Sequence, residues 1–357
     1  MSASRVRLVV LFGGQSAEHE VSLVTARHVL AATDPDRYDI APVAIGKDGR
    51  WVSADDALRA LRAGPDAMPD ALPTTGTAIE PAGALAGTAD EQVVVFPLLH
   101  GPLGEDGTVQ GLLELAGVPY VGCGVLASAL AMDKGKAKDM FRAMGIPQGR
   151  YVSLHEAEID ESTPGCLAAE LGYPMFVKPA NMGSSVGVTK PHDAAELVAA
   201  LDLALTYDDW LVVEETIVGR EIECGVLGNL EPRASLPGEI RPGAEFYDYD
   251  DKYRTGAAEL TIPADLPDDV TEQLRALAVD AYRALGCEGM ARVDFFYEPD
   301  GRGLLVNEIN TIPGFTPISM YPKMWEATGL AYPDLIDELI GLAIERFERR
   351  ASRRRAD

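Results

Sequence analysis

Two apolar segments separated by a short turn, near the C-terminus, constrain the fold more than any other part of the chain. Residues 291–297 (ARVDFFY) and 304–310 (LLVNEIN) are typical of strands, and Pro, Asp and Gly lie between them. This pattern predicts a β-hairpin. A surface hairpin with its polar face in water is one interpretation, but alternation favours burial of both faces through Val293, Phe295, Val306 and Ile309.

The same alternation groups the polar residues of the hairpin. Arg292 shares a face with Asp294, and Glu308 shares a face with Asn310. If Asp294 lies opposite Glu308, all four polar groups meet in one patch. Two carboxylates and an amide oxygen suit Mg²⁺ together with waters and substrate phosphates, and an arginine beside them can hold developing negative charge. A slip of one residue would place the carboxylates on different faces.

The overall composition favours a multidomain globular protein. The chain has 357 residues, of which 47% are hydrophobic, so we expect two or three domains with sizeable cores. The formal net charge of −25 argues against nucleic acid as the main partner. We interpret the one basic run, 346–355, as a solvated helix end and a frayed terminus.

The cysteines and the N-terminus predict a cytoplasmic protein. The four cysteines lie far apart and form no zinc-type spacing: Cys123, Cys166, Cys224 and Cys287. The N-terminal apolar run stops at two glycines and is too short for a signal peptide, and no segment approaches the length of a membrane span. We therefore expect reduced thiols and no membrane insertion.

The first third of the chain predicts a parallel α/β unit. The apolar run 6–12 ends in a glycine turn, a helix is expected at 20–32, and further strands at 38–45 and 93–99. In such a sheet, ligands bind at the C-terminal ends of the strands.

The middle of the chain predicts a second, smaller α/β unit. It begins with a lysine-bearing helix at 128–144, and strands follow at 175–178, 188–189 and 210–215 with a helix at 194–205. The third unit starts near residue 216 and contains the hairpin.

A glycine- and serine-rich loop lies between the first two strands of this middle unit. The loop GSSVG (183–187) follows the strand that ends at Lys178. Glycines let backbone N–H groups approach a phosphate, and Ser184 and Ser185 add donors. The lysine precedes the loop, so the pattern is not GxxxxGK[ST], and a tight β-turn explains the loop alone equally well. With Lys138 as a second ammonium group, the set would suit a triphosphate.

Acidic residues at two strand ends are further candidates. Glu214 and Glu215, with Glu221 shortly after, could hydrogen-bond adenine and ribose, although this segment alone favours acids that cap a strand end. Glu18 follows the first strand, where an α/β sheet binds its ligand, but an acid there also stabilises the first turn of a helix.

The segment after the hairpin, 311–319, offers groups for anions. Gly314 could present a backbone N–H to an oxyanion, or it could be a turn glycine after Pro313. Ser319 could begin a helix whose N-terminus binds a carboxylate.

Together these segments resemble one known family. In one order along nearly the whole chain occur GGQSAEHEVS, LHGPLGEDG, AMDK, FVKPANMGSSVGV, FYDYDDKY, ARVDFF and NEINTIPGFTPIS. The chain thereby resembles the D-alanine:D-alanine ligases of the ATP-grasp superfamily. Only about residues 55–90 and the arginine-rich tail fall outside the resemblance.

The resemblance implies an α/β fold of the α+β ATP-grasp type in three domains. An N-terminal parallel α/β domain (1–122) would contribute to substrate binding. A small central domain (123–215) and a C-terminal domain (216–357) would hold ATP between them, and the C-terminal domain would carry the metal and catalytic site.

The resemblance also implies the ligands of the nucleotide and the metals. The residues at the phosphates would be Lys138 and Lys178 with the loop serines Ser184 and Ser185, and those at the adenosine Glu214, Glu215 and Glu221. Two Mg²⁺ or Mn²⁺ ions would be bound by Asp294, Glu308 and Asn310, and K⁺ is a further candidate cofactor.

For the first D-alanine, the resemblance implies a site in the N-terminal domain. Glu18 would pair with its ammonium group, with His100 close to that substrate. Ser184 and Tyr253 would join Glu18 in a hydrogen-bonded set that pins a lid, 243–255, over the site. Such a lid would exclude water from an acyl phosphate that hydrolyses readily.

The implied reaction has two steps. The carboxylate of the first D-alanine attacks the γ-phosphate of ATP, and the amine of the second D-alanine then displaces phosphate. Arg292 and the N–H of Gly314 would stabilise the tetrahedral oxyanion, while Lys252 and Ser319 would receive the carboxylate of the second D-alanine. The product would serve peptidoglycan precursor synthesis.

Three alternatives stay open beside this reaction. The enzyme alternatives are D-alanine:D-lactate and D-alanine:D-serine ligases, and the Lys252–Tyr253 pair matches the dipeptide-forming type. A non-catalytic ATP-binding regulator would be expected to have lost metal ligands or lysines. The expected partners are D-alanine and ATP, with a second copy of the chain in a homodimer and no nucleic acid.

Overall fold

The computed structural model describes residues 5–63, 69, 71–87, 91–241 and 259–354. The N-terminal unit is built on a five-stranded sheet: β1 (Val6–Gly13), β2 (Tyr38–Ile45), β3 (Trp51–Ser53), β4 (Thr77–Ala78) and β5 (Gln92–Pro97). The predicted parallel arrangement is confirmed for β2, β1 and β5, and the short β3 and β4 extend one edge antiparallel. Four helices accompany the sheet: α1 (His19–Ala32), α2 (Asp55–Ala63), α3 (Pro81–Leu85) and α4 (Thr108–Ala116).

The helix predicted at 128–144 is in fact two helices, α5 (Val125–Met132) and α6 (Lys134–Ala143). The break occurs at Asp133, whose carboxylate accepts a hydrogen bond from the Lys136 backbone N–H at 2.9 Å. Aspartate at this position satisfies a free N–H of the first turn and therefore begins a new helix. Buried residues of both helices belong to the same hydrophobic core as the C-terminal sheet.

The central sheet is antiparallel, in the order β6 (Tyr151–His155), β8 (Trp210–Glu215), β7 (Met175–Pro179). Helices α7 (Thr163–Leu171) and α8 (Ala194–Ala204) complete its core. The strand predicted at 188–189 is only an isolated bridge between Thr189 and Val177.

The C-terminal unit contains an antiparallel six-stranded sheet. Its strands are β9 (Arg220–Gly228), β10 (Arg233–Ala234), β11 (Gly238–Arg241), β12 (Glu259–Thr261), β13 (Gly289–Glu298) and β14 (Gly303–Asn310). Helix α9 (Asp268–Ala284) packs against β9 and β13, and apolar side chains of all three share one core.

The hairpin predicted from the sequence is β13 and β14. Asp294 pairs with Glu308 and Arg292 with Asn310, and this is the register that the polar patch requires. A bulge after Asp294 shifts the pairing beyond the polar patch. The four apolar side chains expected to be buried are at most 3% exposed, because β13 lies between β14 and β9 and core residues cover it.

Two C-terminal helices close the chain, α10 (Met320–Ala327) and α11 (Tyr332–Arg354). Their apolar residues pack into the core of the N-terminal sheet, so this end of the chain ties the first unit to the last. No helix in the described part of the chain is long and apolar enough to span a bilayer.

The expectation of a solvated arginine-rich helix end is wrong for its first half. Arg346 is 3% exposed and donates hydrogen bonds to the backbone carbonyls of Gly122 and Tyr120, the latter at 2.7 Å. Arg350 reaches Glu288 at 2.6 Å and Glu114 at 2.8 Å. These partners lie far away in the sequence and meet the helix only in the folded chain.

Candidate functional site

A cleft of about 1030 Å³ lies where the three sheets meet. Each sheet supplies polar side chains to it: Glu18 follows β1, Lys178 lies on β7, and Asp294 lies on β13. Every predicted site residue within the described ranges lines this cleft, with the exception of Lys138. Lys252, Tyr253 and the predicted lid 243–255 lie outside the described residues.

The polar face of the hairpin forms one wall. Arg292 donates two hydrogen bonds of 2.7 Å to the carboxylate of Asp294, and its Nε lies 3.1 Å from Glu223. The Asn310 amide nitrogen donates to Asp294 at 2.9 Å. Burial acts to lower the pKa of Arg292, but the carboxylates of Asp294 and Glu223 raise it well above its usual value. The arginine is therefore a fixed cation.

The donor set on this wall fits magnesium. Among the described residues there is no cluster of three or more His, Cys, Asp or Glu side chains arranged to hold a metal by themselves. The wall offers two opposed carboxylates, Asp294 and Glu308, and the amide oxygen of Asn310. Mg²⁺ takes one or two carboxylates together with waters and substrate phosphates, so this incomplete set of hard oxygens suits it.

A buried charge cluster lies beside the hairpin. Glu214, at the end of β8, forms ion pairs with Lys178 at 3.0 Å and with Lys138 at 3.4 Å. Burial raises the pKa of Glu214, but the two lysines lower it to about 2. Burial likewise lowers the pKa of Lys178, but the nearby Glu214 and Glu308 carboxylates raise it. Glu214 and Lys178 are therefore ionised throughout the physiological pH range, whereas burial lowers the pKa of Lys138.

The loop 183–187 approaches the N-terminal unit closely. Ser184 Oγ donates a short hydrogen bond to Glu18, and Ser184 and Ser185 both adopt left-handed backbone angles, with φ of 49° and 60°. A Cβ atom on Gly183 would lie 2.7 Å from Glu18 Oε2, so a larger residue there would displace the Glu18 carboxylate. The loop thus connects the central unit to the acid that follows β1.

The amino-acid end of the cleft brings together groups from separate loops. His100 is 5% exposed, and its backbone carbonyl accepts a hydrogen bond from Ser16 at 2.7 Å. Gly314 and Ser319 also line the cleft, and Ser319 is the N-cap of α10. Glu20, one turn along from Ser16, instead pairs with Lys47 at 2.9 Å on the surface, as expected for an acid in the first helical turn.

Two family models of known proteins match this chain. Residues 7–123 match the family model described as D-ala D-ala ligase N-terminus, and residues 140–341 match D-ala D-ala ligase C-terminus. The chain belongs to the D-alanine–D-alanine ligase family. Its fold class and the resemblance drawn from its motifs are thereby confirmed.

Individual relatives cover nearly the whole ligase chain. The D-alanine–D-alanine ligase of Acetivibrio thermocellus is 47% identical over 362 residues, with 96% of each chain covered. That of Arthrobacter sp. is 49% identical, covering 96% of this chain and 95% of its own. The solved structure of the ligase from Coxiella burnetii superposes with a TM-score of 0.85 at 42% identity, covering 99% and 98%. VanG D-Ala:D-Ser ligase from Enterococcus faecalis superposes at 0.80 with 36% identity, covering 95% and 100%.

Two lysines of this ligase-family chain bear on the predicted phosphate contacts. Lys138 is 3% exposed, pairs with Glu214 and is not among the residues that line the cleft. Lys134, which the sequence interpretation treated only as part of a helix, lines the cleft and donates to the Met182 carbonyl at 2.5 Å. The missed signal is Asp133, because an N-cap there places the next lysine at a helix N-terminus facing the loop.

Glu215 also makes contacts that its predicted adenosine role does not require. Its carboxylate accepts hydrogen bonds from the backbone N–H and Nε of Arg150, at 2.7 and 2.9 Å, and from Arg302 at 2.5 Å. Burial raises the pKa of Glu215, but these donors lower it overall. The carboxylate thus links β8 to Arg302 in the hairpin turn, and Glu215 also lines the cleft.

Proposed function

We propose that this chain ligates two D-alanines to D-alanyl-D-alanine with ATP, releasing ADP and phosphate for peptidoglycan precursor synthesis. One observation supports this most strongly. A single cleft joins lysines and a glycine-serine loop, suited to phosphates, with an acid and a histidine suited to an amino acid. The hairpin acids lie between these two ends. Relatives named D-alanine–D-alanine ligase match over nearly the full chain.

In the first step, the carboxylate of the first D-alanine attacks the γ-phosphorus in line and forms an acyl phosphate. Lys134 and Lys178 offset the charge on the moving phosphoryl group, and Glu18 holds the substrate ammonium. When bound at Asp294, Glu308 and Asn310, Mg²⁺ would neutralise phosphate charge. The number of ions, proposed as two, rests on the family alone.

In the second step, the amine of the second D-alanine attacks the acyl carbon, and phosphate leaves with the oxygen that bridged carbon and phosphorus. Arg292 and the Gly314 N–H would stabilise the tetrahedral oxyanion. Ion pairs with Asp294 and Glu223 hold the guanidinium in a fixed position, so it would not have to reorganise during the reaction. Ser319, as the N-cap of α10, would receive the carboxylate of the second D-alanine, with Lys252 as its proposed cationic partner.

Three coarser features belong to the same proposal. We propose three domains with boundaries near 122 and 215, consistent with the three sheets. We propose a homodimer, because Leu115 and Leu126 are 91% and 69% exposed on the neighbouring helices α4 and α5. A cytoplasmic location fits a supply of ATP and four unpaired cysteines.

The experiment that tests this function measures phosphate release with ATP and Mg²⁺. Activity is compared with D-alanine alone, with L-alanine, and with D-alanine plus D-lactate or D-serine. We expect release with D-alanine alone, none with L-alanine, and no further product with D-lactate or D-serine. Release only when D-lactate or D-serine is present would favour the corresponding ligase, and no release in any mixture would favour a binding protein.

A further inference from the structure

The His100 ring has one satisfied and one unsatisfied nitrogen. Its Nδ1 lies 3.3 Å from Glu105 Oε1 and 3.2 Å from the backbone carbonyl of Ile312. Its Nε2 is buried and has no hydrogen-bond partner among the described residues. Since His100 lines the cleft, a ligand in the cleft is the available partner for Nε2.

The two partners of Nδ1 decide which nitrogen carries the proton. A backbone carbonyl only accepts hydrogen bonds, so the Ile312 carbonyl requires an N–H on Nδ1. The Glu105 carboxylate accepts from the same N–H when it is ionised; burial raises the pKa of Glu105, and the hydrogen bond to His100 opposes that rise. In the neutral ring, Nε2 then carries a free lone pair, and it can accept a hydrogen bond from an ammonium group.

Glu105 is built into this arrangement. Its Oε1 also accepts a hydrogen bond from the Gly101 backbone N–H at 3.1 Å, and its side chain is 15% exposed. A Cβ atom on Gly101 would lie 2.5 Å from Glu18 Oε2. The turn that holds Glu105 against His100 therefore lies directly against the carboxylate of Glu18, the proposed anchor of the substrate ammonium.

We propose that Glu105 is a positioning residue that, with the Ile312 carbonyl, keeps the proton of His100 on Nδ1 and leaves Nε2 as an acceptor for the ammonium of the first D-amino acid. This inference rests on the proposed function. The same contact links the N-terminal unit to the segment that carries Gly314, because Ile312 lies two residues before it. The His100 ring therefore contacts both the proposed ammonium site and the segment that carries the proposed oxyanion donor, Gly314.

The pH dependence follows from the charges around the ring. Burial lowers the pKa of His100, but Glu105 and Glu18 raise it above its usual value. Protonation puts a second N–H on Nε2 and removes the acceptor. Binding of the first D-alanine should therefore weaken as the pH falls through this pKa, and loss of the Glu105 charge should move the change to lower pH.

The test compares Glu105→Gln with Asp106→Asn. Both variants remove one negative charge from the same turn, but Asp106 bonds only the backbone N–H groups of Leu103 and Thr108. Initial rates across D-alanine concentrations give separate Michaelis constants for the two amino-acid sites. We expect Glu105→Gln to raise the first-site constant about tenfold, as for loss of one hydrogen bond to a charged group, with a smaller effect on kcat. In Glu105→Gln, the weakening of first-site binding at acid pH should occur at a lower pH than in the wild type. Asp106→Asn should match the wild type in both respects.

A spectroscopic measurement separates this inference from the proposed function. In ¹⁵N-labelled wild-type protein, long-range proton–nitrogen spectra assign the tautomer of His100, with His100→Gln to identify its signals. We expect the Nδ1–H tautomer, and a shift towards Nε2–H in Glu105→Gln. An Nε2–H tautomer in the wild type, or kinetics of Glu105→Gln equal to those of Asp106→Asn, would overturn the inference. Absence of D-alanine-dependent turnover in the wild type would instead refute the proposed function, and the tautomer would still be measurable if Glu105→Gln failed to fold.

Discussion

Asp294 lies directly opposite Glu308 across the β13–β14 hairpin, and Arg292 binds the Asp294 carboxylate through two hydrogen bonds of 2.7 Å. The pairing puts two carboxylates and a fixed cation on one wall of the cleft. In the proposed reaction, the two carboxylates bind Mg²⁺ at the phosphates, and the Arg292 guanidinium stabilises the oxyanion. The bulge that follows Asp294 begins only after this patch, so the irregularity does not disturb it.

Replacement of Glu308 by Gln should remove turnover while the protein remains folded. The amide keeps the shape of the side chain but loses the charge that attracts Mg²⁺, so we expect a fall in kcat of at least about a hundredfold. High Mg²⁺ should restore part of it. The control is Glu231→Gln on the exposed surface. Unchanged activity at ordinary Mg²⁺ would remove Glu308 from the metal site.

Replacement of Lys134 by Met should weaken ATP binding. The side chain lines the cleft beside the loop 183–187, so loss of its charge should raise the KM for ATP about tenfold. Lys136→Met is the matched control, because Lys136 lies on the same helix and its side chain is 50% exposed. An equal KM for ATP in the two variants would show that Lys134 only tethers the Met182 carbonyl.

Replacement of Glu214 by Gln should lower stability, because Lys138 and Lys178 would lose their shared counter-ion. Removal of one partner of a buried ion pair costs about 3 kcal/mol in the free energy of unfolding at pH 7. The folded state holds the pKa of Glu214 at about 2, below its usual 4.5. The contribution of the ionised Glu214 to the free energy of unfolding is therefore complete above pH 4.5 and is lost as the pH falls towards 2.

Urea unfolding at several pH values checks this prediction, with exposed Glu170→Gln as the control. The stability difference between wild type and Glu214→Gln should be largest near pH 7 and should shrink below pH 4.5. A difference that stays constant down to pH 3 would mean that the pKa is not depressed by the lysines.

Replacement of Arg346 by Met should destabilise the junction between the first and last units. It leaves the carbonyls of Tyr120 and Gly122 without their buried donor, at a cost of about 3 kcal/mol in the free energy of unfolding. Exposed Arg353→Met, on the same helix, should have little effect. Thermal unfolding of both variants measures the difference, and equal midpoints would contradict a structural role for Arg346.

Patterns local in the sequence predicted the hairpin, and alternation fixed which side chains of each strand share a face. The register stayed a condition, because a slip of one residue would separate the carboxylates, and only the folded sheet shows Asp294 opposite Glu308. The charge cluster at Glu214 was only partly predictable. Its acids and lysines were candidates for ligand contacts, but their pairing with each other depends on how two sheets pack.

The arginine contacts of α11 could not be predicted in this way. Arg346 and Arg350 find their partners at residues 114–122 and 288, so nothing near the helix distinguishes them from a solvated end. The position of Lys134 could not be predicted either. It follows from a helix break at Asp133, within a segment whose pattern predicted one continuous helix. Contacts between distant segments are set by tertiary packing, which periodicity does not encode.

The most direct test of the central claim follows the oxygen atoms of D-alanine. With D-alanine labelled by ¹⁸O in its carboxylate, and with ATP and Mg²⁺, mass spectrometry measures the label in the released phosphate and identifies the product. Ligation through an acyl phosphate predicts one ¹⁸O in each phosphate and an equal amount of D-alanyl-D-alanine, because the attacking carboxylate oxygen leaves with phosphorus. Phosphate without ¹⁸O would show attack by water on ATP and would contradict ligation through an acyl phosphate.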